Sequence, residues 1–217
     1  MTLEITALDV DIERTPILRG ASLRVPRGCI AGLIGRNGAG KTTLMRAVMG
    51  LLRTGGGSLR IGDTDVTALP AYRRSALGVG YMPEDRRLVP RLTVEENILV
   101  PAWANAIPDP AARLAWIYEL IPELASFADR RALQLSGGQQ KLVALARALM
   151  AGEHLLLLDE PFEGVAPALA HRLVEVLHSI EAEGLSILLS ESDYTHSAGL
   201  ADHVYVIERG AVAESVH

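Results

Sequence analysis

The sequence predicts an α/β protein with a mainly parallel sheet, an N-terminal antiparallel β subdomain and an inserted helical subdomain. Three observations predict it. Short unbroken apolar runs alternate with helical patterns, as parallel sheets covered on both faces require. Residues 1–27 instead alternate polar and apolar residues, which suits antiparallel strands. From 84 to 150 the strand–helix alternation stops, and a mostly helical pattern broken by prolines at 90, 101, 108, 110 and 122 takes its place.

The elements follow in order. LEITALDV and ILRGASLRV read as two antiparallel strands turning at Gly20. CIAGLI at 29–34 is a buried strand, and TTLMRAVMGLL a helix. A turn at 55–57 leads into an edge hairpin at 58–66, and ALGVGYM at 76–82 is another buried strand. After the helical block, HLLLLDEP is a strand, and 168–182 a helix with Leu169, Leu173, Leu177 and Ile180 on one face. LSILLS at 185–190 is a further strand, and ADHVYVIERGAVAE a terminal hairpin.

Composition narrows the function. The 217 residues carry 21 Lys and Arg against 26 Asp and Glu, a net charge of −5. That balance argues against a nucleic-acid partner held by a basic face. Apolar residues make up 49%, enough for a substantial core, but only two Trp, five Tyr and two Phe contribute aromatics. The core is therefore aliphatic. The single cysteine, Cys29, excludes an internal disulfide and a multi-Cys metal site. MTLEITALDVDIERTP lacks the basic-then-apolar layout of a leader, and no stretch approaches the roughly 18 apolar residues of a membrane span. The expectation is a chain soluble by itself, held at a membrane, if at all, by another polypeptide.

Residues 35–43, GRNGAGKTT, fit G-x-x-x-x-G-K-[ST] between a buried strand and a helix. Gly35, Arg36, Asn37, Gly38, Ala39 and Gly40 form a backbone cradle for anionic oxygens, and the helix dipole points at the same charge. Lys41 reaches the β- and γ-phosphates, Thr42 ligates Mg²⁺, and Thr43 donates to the α-phosphate. LLLLDE at 155–160 puts Asp159 and Glu160 at the C-terminal end of a buried strand, the edge where parallel sheets bind ligands. Asp159 is positioned for Mg²⁺, and Glu160 for polarising an attacking water. LSGGQQ at 135–140 precedes an apolar helix with Leu142, Leu145, Ala146 and Leu149 on one face. Its residues alone leave two readings open: a simple helix cap, or a second anion site.

The order GRNGAGKTT, LSGGQQ, LLLLDEP resembles the ATP-binding cassette ATPases over essentially the whole chain. The resemblance implies a P-loop NTPase with a RecA-like core and antiparallel β subdomain (1–83 and 151–217) and a helical subdomain (84–150) carrying the signature motif. It implies ATP and Mg²⁺ as ligands. It implies that Ser136, Gly137, Gly138 and Gln139 close over the γ-phosphate held by a second ATPase subunit, in a homo- or heterodimer, with transmembrane permease subunits as further partners. The place implied is the cytoplasmic face of a membrane, as a peripheral subunit. YMPEDRRLVPRLTVEENI and DEPFEGVAP look like the ATPase subunits of branched-chain amino-acid, urea and amide importers, which a periplasmic binding protein feeds.

Departures from the family pattern are expected to matter. Glu84 stands where most cassettes have glutamine, linking Mg²⁺ and water to the helical subdomain; a solvated helix cap is the competing reading. Ile12 is nearest to the position of the adenine-stacking aromatic, so weak discrimination between ATP and GTP is expected. Ser192 replaces the switch histidine, with His196 placed on a following helix, and Ala166 replaces the D-loop acid. Two further readings stay open: a partly degenerate regulatory subunit of an asymmetric pair, and a non-transport ATPase. The arginine pairs at 73–74, 86–87 and 130–131 are read as solvated surface, as is the face carrying His171 and His178. Trp103 and Trp116 are read as core or interface anchors.

Overall fold

The computed structural model describes residues 1–195 and 199–215. His196 and His217 lie outside them, so the placement expected for His196 falls outside the described residues.

Two sheets enclose one helix. The first is four-stranded and antiparallel, in the order β2 (Thr15–Val25), β1 (Leu3–Ile12), β4 (Gly56–Ile61), β5 (Thr64–Asp65). The second has six strands in the order β10 (Ala211–Glu214), β9 (His203–Glu208), β3 (Ile30–Ile34), β8 (Ser186–Glu191), β7 (Leu155–Asp159), β6 (Val79–Met82). Only the β9–β10 pair is antiparallel.

The apolar runs are explained by alternation of side chains across the sheet. In β7, Leu155 and Leu157 face one core while Leu156 and Leu158 face the other. In β8, Leu188 joins the first core and Ile187 and Leu189 the second. The first core is filled by α1 (Lys41–Val48), whose Leu44, Met45, Ala47 and Val48 pack between the two sheets. The second is filled by α5 (Gly137–Ala151) and α6 (Pro167–Ala182). Residues 84–150 hold α3 (Val94–Asn105), α4 (Pro110–Leu120), two short 3₁₀ turns and α5. The short α2 (Ala71–Ser75) precedes β6.

Three expectations change. The first hairpin turns at Glu13 and Arg14, both at positive φ, between the paired Ile12 and Thr15. Gly20 (φ 61°) lies inside β2, where the pairing with β1 is irregular, and its N–H donates to Asp9 Oδ1. A strand glycine here marks a bulge rather than a turn. Arg74 is not solvated: it is 2% exposed and donates to the carbonyls of Ala47 and Val48, satisfying the C-terminal end of α1. Of the two readings for the tryptophans, core is excluded for Trp103, which is 59% exposed, while Trp116 packs under the Arg113 guanidinium and donates to Glu183. His171 and His178 are exposed as expected, and of the face at 168–182 Leu173, Leu177 and Ile180 are buried with Leu169 half-buried.

Candidate active site

The phosphate loop runs from the C-terminal end of β3 into α1. Gly35 packs so tightly that a Cβ there would meet the Ile207 carbonyl oxygen at 2.4 Å, and Gly40 caps α1 at φ 116°. Both positions need glycine, one for space and one for conformation. Gly40 supplies no side-chain cap, so the first N–H groups of α1 remain available to an anion. Arg36, Asn37 and Gly38 are exposed at the loop crest, with Ala39 half-buried. Thr43 lines the same cleft as Lys41 and Thr42.

Lys41 is buried. Its Nζ donates to the carbonyls of Gly35 and Arg36 and pairs with Glu160 Oε1 at 2.9 Å. The structure thus brings the predicted phosphate lysine and the predicted water-activating carboxylate into direct contact. Glu160 leaves β7 at φ 51°, a left-handed conformation that costs a glutamate about 1–2 kcal/mol. Ser192 Oγ lies 2.9 Å from both Glu160 Oε1 and Asn37 Oδ1, so its one proton serves either acceptor.

Asp159 is fully buried. Its Oδ1 accepts from Ser190 Oγ at 2.7 Å, while Oδ2 is buried and makes no hydrogen bond by geometry. Burial raises the carboxyl pKa, opposed by Ser190 and by Thr42 beside it. A buried carboxylate oxygen left over next to a threonine hydroxyl is the donor set that a hard cation takes. The residues present therefore fit Mg²⁺ at Thr42 and Asp159. Among the described residues no group of three His, Cys, Asp or Glu could hold a metal, so such an ion would need phosphate oxygens to complete its shell.

Glu84 follows β6 and is exposed, lining a cleft of about 480 Å³ with Thr42 and Asp159. Burial raises its pKa first, then the charges of Glu163, Asp159 and Glu160, with Lys41 opposing. Glu84 does not cap a helix; α3, the next helix, is capped by Thr93 and Glu96. Ile12 is 38% exposed at the hairpin tip, and Ile17 is the apolar side chain that lines the phosphate-loop cleft.

Ser136 caps α5, accepting from the Gln139 N–H, while the Gln139 side chain accepts from Ser136 N–H. A Cβ on Gly138 would meet the Leu169 side chain at 2.9 Å, and Gly137 lies against the Arg86 guanidinium. Ser136 and Gly137 are exposed, and none of residues 136–139 lines the clefts around the phosphate loop. Within one chain the capped start of α5 does not line the phosphate-loop cleft.

Two functional neighbours escaped the sequence reading. Lys141, on the apolar α5, is 2% exposed and donates to the carbonyls of Glu160 and Glu163. Its pKa is lowered to about 8, chiefly by burial and then by Arg86. The signal was a lysine next to a run of buried apolar residues, 142–146, in the same helix. Ser190 is the other, a hydroxyl following the aliphatic run 187–189 of β8.

Comparison with known proteins gives one answer. The ABC transporter family model matches residues 18–163. The high-affinity branched-chain amino acid transport ATP-binding protein BraG of Pseudomonas aeruginosa is 36% identical over 195 residues, covering 90% of this chain and 84% of BraG. The lipopolysaccharide export system ATP-binding protein LptB of Acidithiobacillus ferridurans is 31% identical over 213 residues, covering 97% and 88%. A solved nucleotide-free ATP-binding cassette from an ABC transporter superposes with a TM-score of 0.86 at 28% identity, covering 99% and 90%. A dimeric bacterial ABC transporter cassette reaches 0.88 at 21% identity, a likeness of fold. With the phosphate loop, the acidic strand end and the capped signature helix in place, the chain belongs to the ABC transporter family, as an ATP-binding, ATP-hydrolysing subunit.

Proposed function

We propose that this subunit energises import of branched-chain amino acids or a related small solute, working as one half of a dimer that sandwiches two ATP molecules. The observation that carries the dimer is the separation of the Ser136–Gln139 segment, exposed at Ser136 and Gly137, from the phosphate-loop cleft of its own chain. Each chain then supplies Lys41, Thr42, Asp159 and Glu160 to one site, and Ser136 and Gly138 to the other. Likeness to BraG supports the cargo class; likeness to LptB makes lipopolysaccharide export the outcome that would replace it. Permease subunits hold the dimer at the cytoplasmic face of the membrane, and a solute-binding protein delivers cargo from the other side.

In this reading ATP draws Lys41 away from Glu160 and onto the β- and γ-phosphates. Freed, the Glu160 carboxylate orients and deprotonates a water for in-line attack on the γ-phosphate. Ser192 steadies that carboxylate by hydrogen bonding, the part open to a hydroxyl where an imidazole is missing. Thr42 and Asp159 would hold Mg²⁺, with Glu84 nearby; the chemistry supplied there is neutralisation of charge on the β- and γ-phosphates. Residues 84–150 form the subdomain that moves with each cycle and passes force to the permease.

The dimer is tested by the dependence of ATPase rate on protein concentration. A superlinear rise is expected; a strictly proportional rate across the range where the chain is monomeric overturns it. The cargo is tested by reconstituting the chain with its permeases in vesicles and measuring ATP-driven uptake of leucine. Uptake is expected, and its absence alongside ATP-driven release of a lipid substrate transfers the assignment to export.

A further inference from the structure

We propose that Ser190 is a positioning residue for the metal-binding carboxylate, holding the Asp159 side chain so that Oδ2 faces Mg²⁺ while pinning the backbone of Glu160. The inference rests on the site reading above and deepens it. Ser190 stands opposite Asp159 in the parallel β7–β8 pair and is fully buried. Its hydroxyl donates to Asp159 Oδ1 at 2.7 Å and accepts from the Glu160 N–H at 3.1 Å. The Ser190 carbonyl accepts from the same N–H at 3.2 Å. One residue therefore fixes the rotamer of one acid and the left-handed turn of the next.

Packing alone asks for no hydroxyl at position 190; the strand's other serine, Ser186, is paired with Thr2 and Gly28. Positions 187–189 are Ile, Leu and Leu, and a buried hydroxyl is costly unless paired. Here both its donor and its acceptor capacity are used on the acid pair. With Oδ1 committed to Ser190, Oδ2 is the remaining oxygen of a carboxyl group that has Thr42 beside it. Just past the end of β8, Ser192 donates to the Glu160 carboxylate. Ser190 and Ser192 thus support the two acids, one hydroxyl each. A group that orients a metal ligand through its hydrogen bond acts on metal affinity rather than on the nucleotide directly.

The test measures binding of AMP-PNP to the full chain by calorimetry, in Mg²⁺ and in EDTA, for wild type, Ser190→Ala, Ser190→Cys and Ser190→Thr. Thermal denaturation checks folding. In EDTA all four bind alike. In Mg²⁺ the metal-dependent gain in affinity falls about tenfold in Ser190→Ala, and the Mg²⁺ concentration for half-saturation rises by a similar factor. Ser190→Thr, which keeps the hydroxyl, restores both. Should Ser190→Ala not fold, Ser190→Cys, close in size with a weak donor, shows the same loss. A wild-type metal gain in either variant, or an equal loss with and without metal, overturns the inference and assigns Ser190 to packing alone. Absence of any metal gain in wild type overturns the reading of the site itself.

Discussion

Replacing Glu160 by glutamine should tighten ATP binding while abolishing turnover. The Lys41–Glu160 pair is 2.9 Å long, with side chains only 4% and 8% exposed. At an effective dielectric of about 20 its Coulomb attraction is roughly 6 kcal/mol, most of it offset by desolvation of both ions. The net worth of such a charge-assisted contact is about 1.5–3 kcal/mol. ATP must displace it to reach Lys41. In Glu160→Gln the competitor is neutral, and the lysine keeps the Gly35 and Arg36 carbonyls, so the loop stays formed. The expected gain is about tenfold or more in affinity, at roughly 1.4 kcal/mol per factor of ten. Displacement of a fluorescent ATP analogue, in EDTA at concentrations that keep the chain monomeric, reads it. Hydrolysis in Mg²⁺ should fall about 10²–10⁴-fold with loss of the base. Equal or weaker ATP binding by the variant would refute the competition between carboxylate and triphosphate.

Arg74→Met takes the guanidinium donor from the Val48 carbonyl, while Ala47 keeps the Gly50 N–H, and should cost about 1–3 kcal/mol of stability in urea denaturation. Lys141 is lowered in the fold to about 8 from 10.5, so the unfolded chain binds the extra proton between those values. Stability from this group therefore rises with pH through that window, by about 3 kcal/mol. Lys141→Met should lose that rise in denaturation series at pH 7.5 and 10. Ile12→Tyr, at an exposed hairpin tip, should strengthen ATP binding several-fold, about 1 kcal/mol, with little change in melting temperature.

Periodic and spacing signals made the site legible. The phosphate loop, the acid pair and the signature each join a run of apolar residues to a short polar segment, and the structure places each at a strand or helix end. Other features depended on contacts that spacing does not encode. Gly20 looked like a turn because a strand bulge uses the same residue, and the real turn at Glu13–Arg14 lacks glycine. Arg74 looked solvated because its partners, the carbonyls of α1, lie 26 and 27 residues away. Lys141 and Ser190 are polar residues beside apolar stretches of α5 and β8, and their purpose appears only when the end of β7 is brought beside them.

The most direct measurement compares Glu160→Gln with Glu160→Gln/Ser136→Arg by sedimentation velocity in ATP and Mg²⁺, with nucleotide affinity measured in parallel on dilute protein. The single variant should sediment as a dimer holding two nucleotides. The double variant should stay monomeric yet bind ATP equally well, because Ser136 lies away from its own chain's phosphate loop. A monomeric single variant, or a double variant that dimerises as readily or loses its ATP affinity as a monomer, would contradict the account.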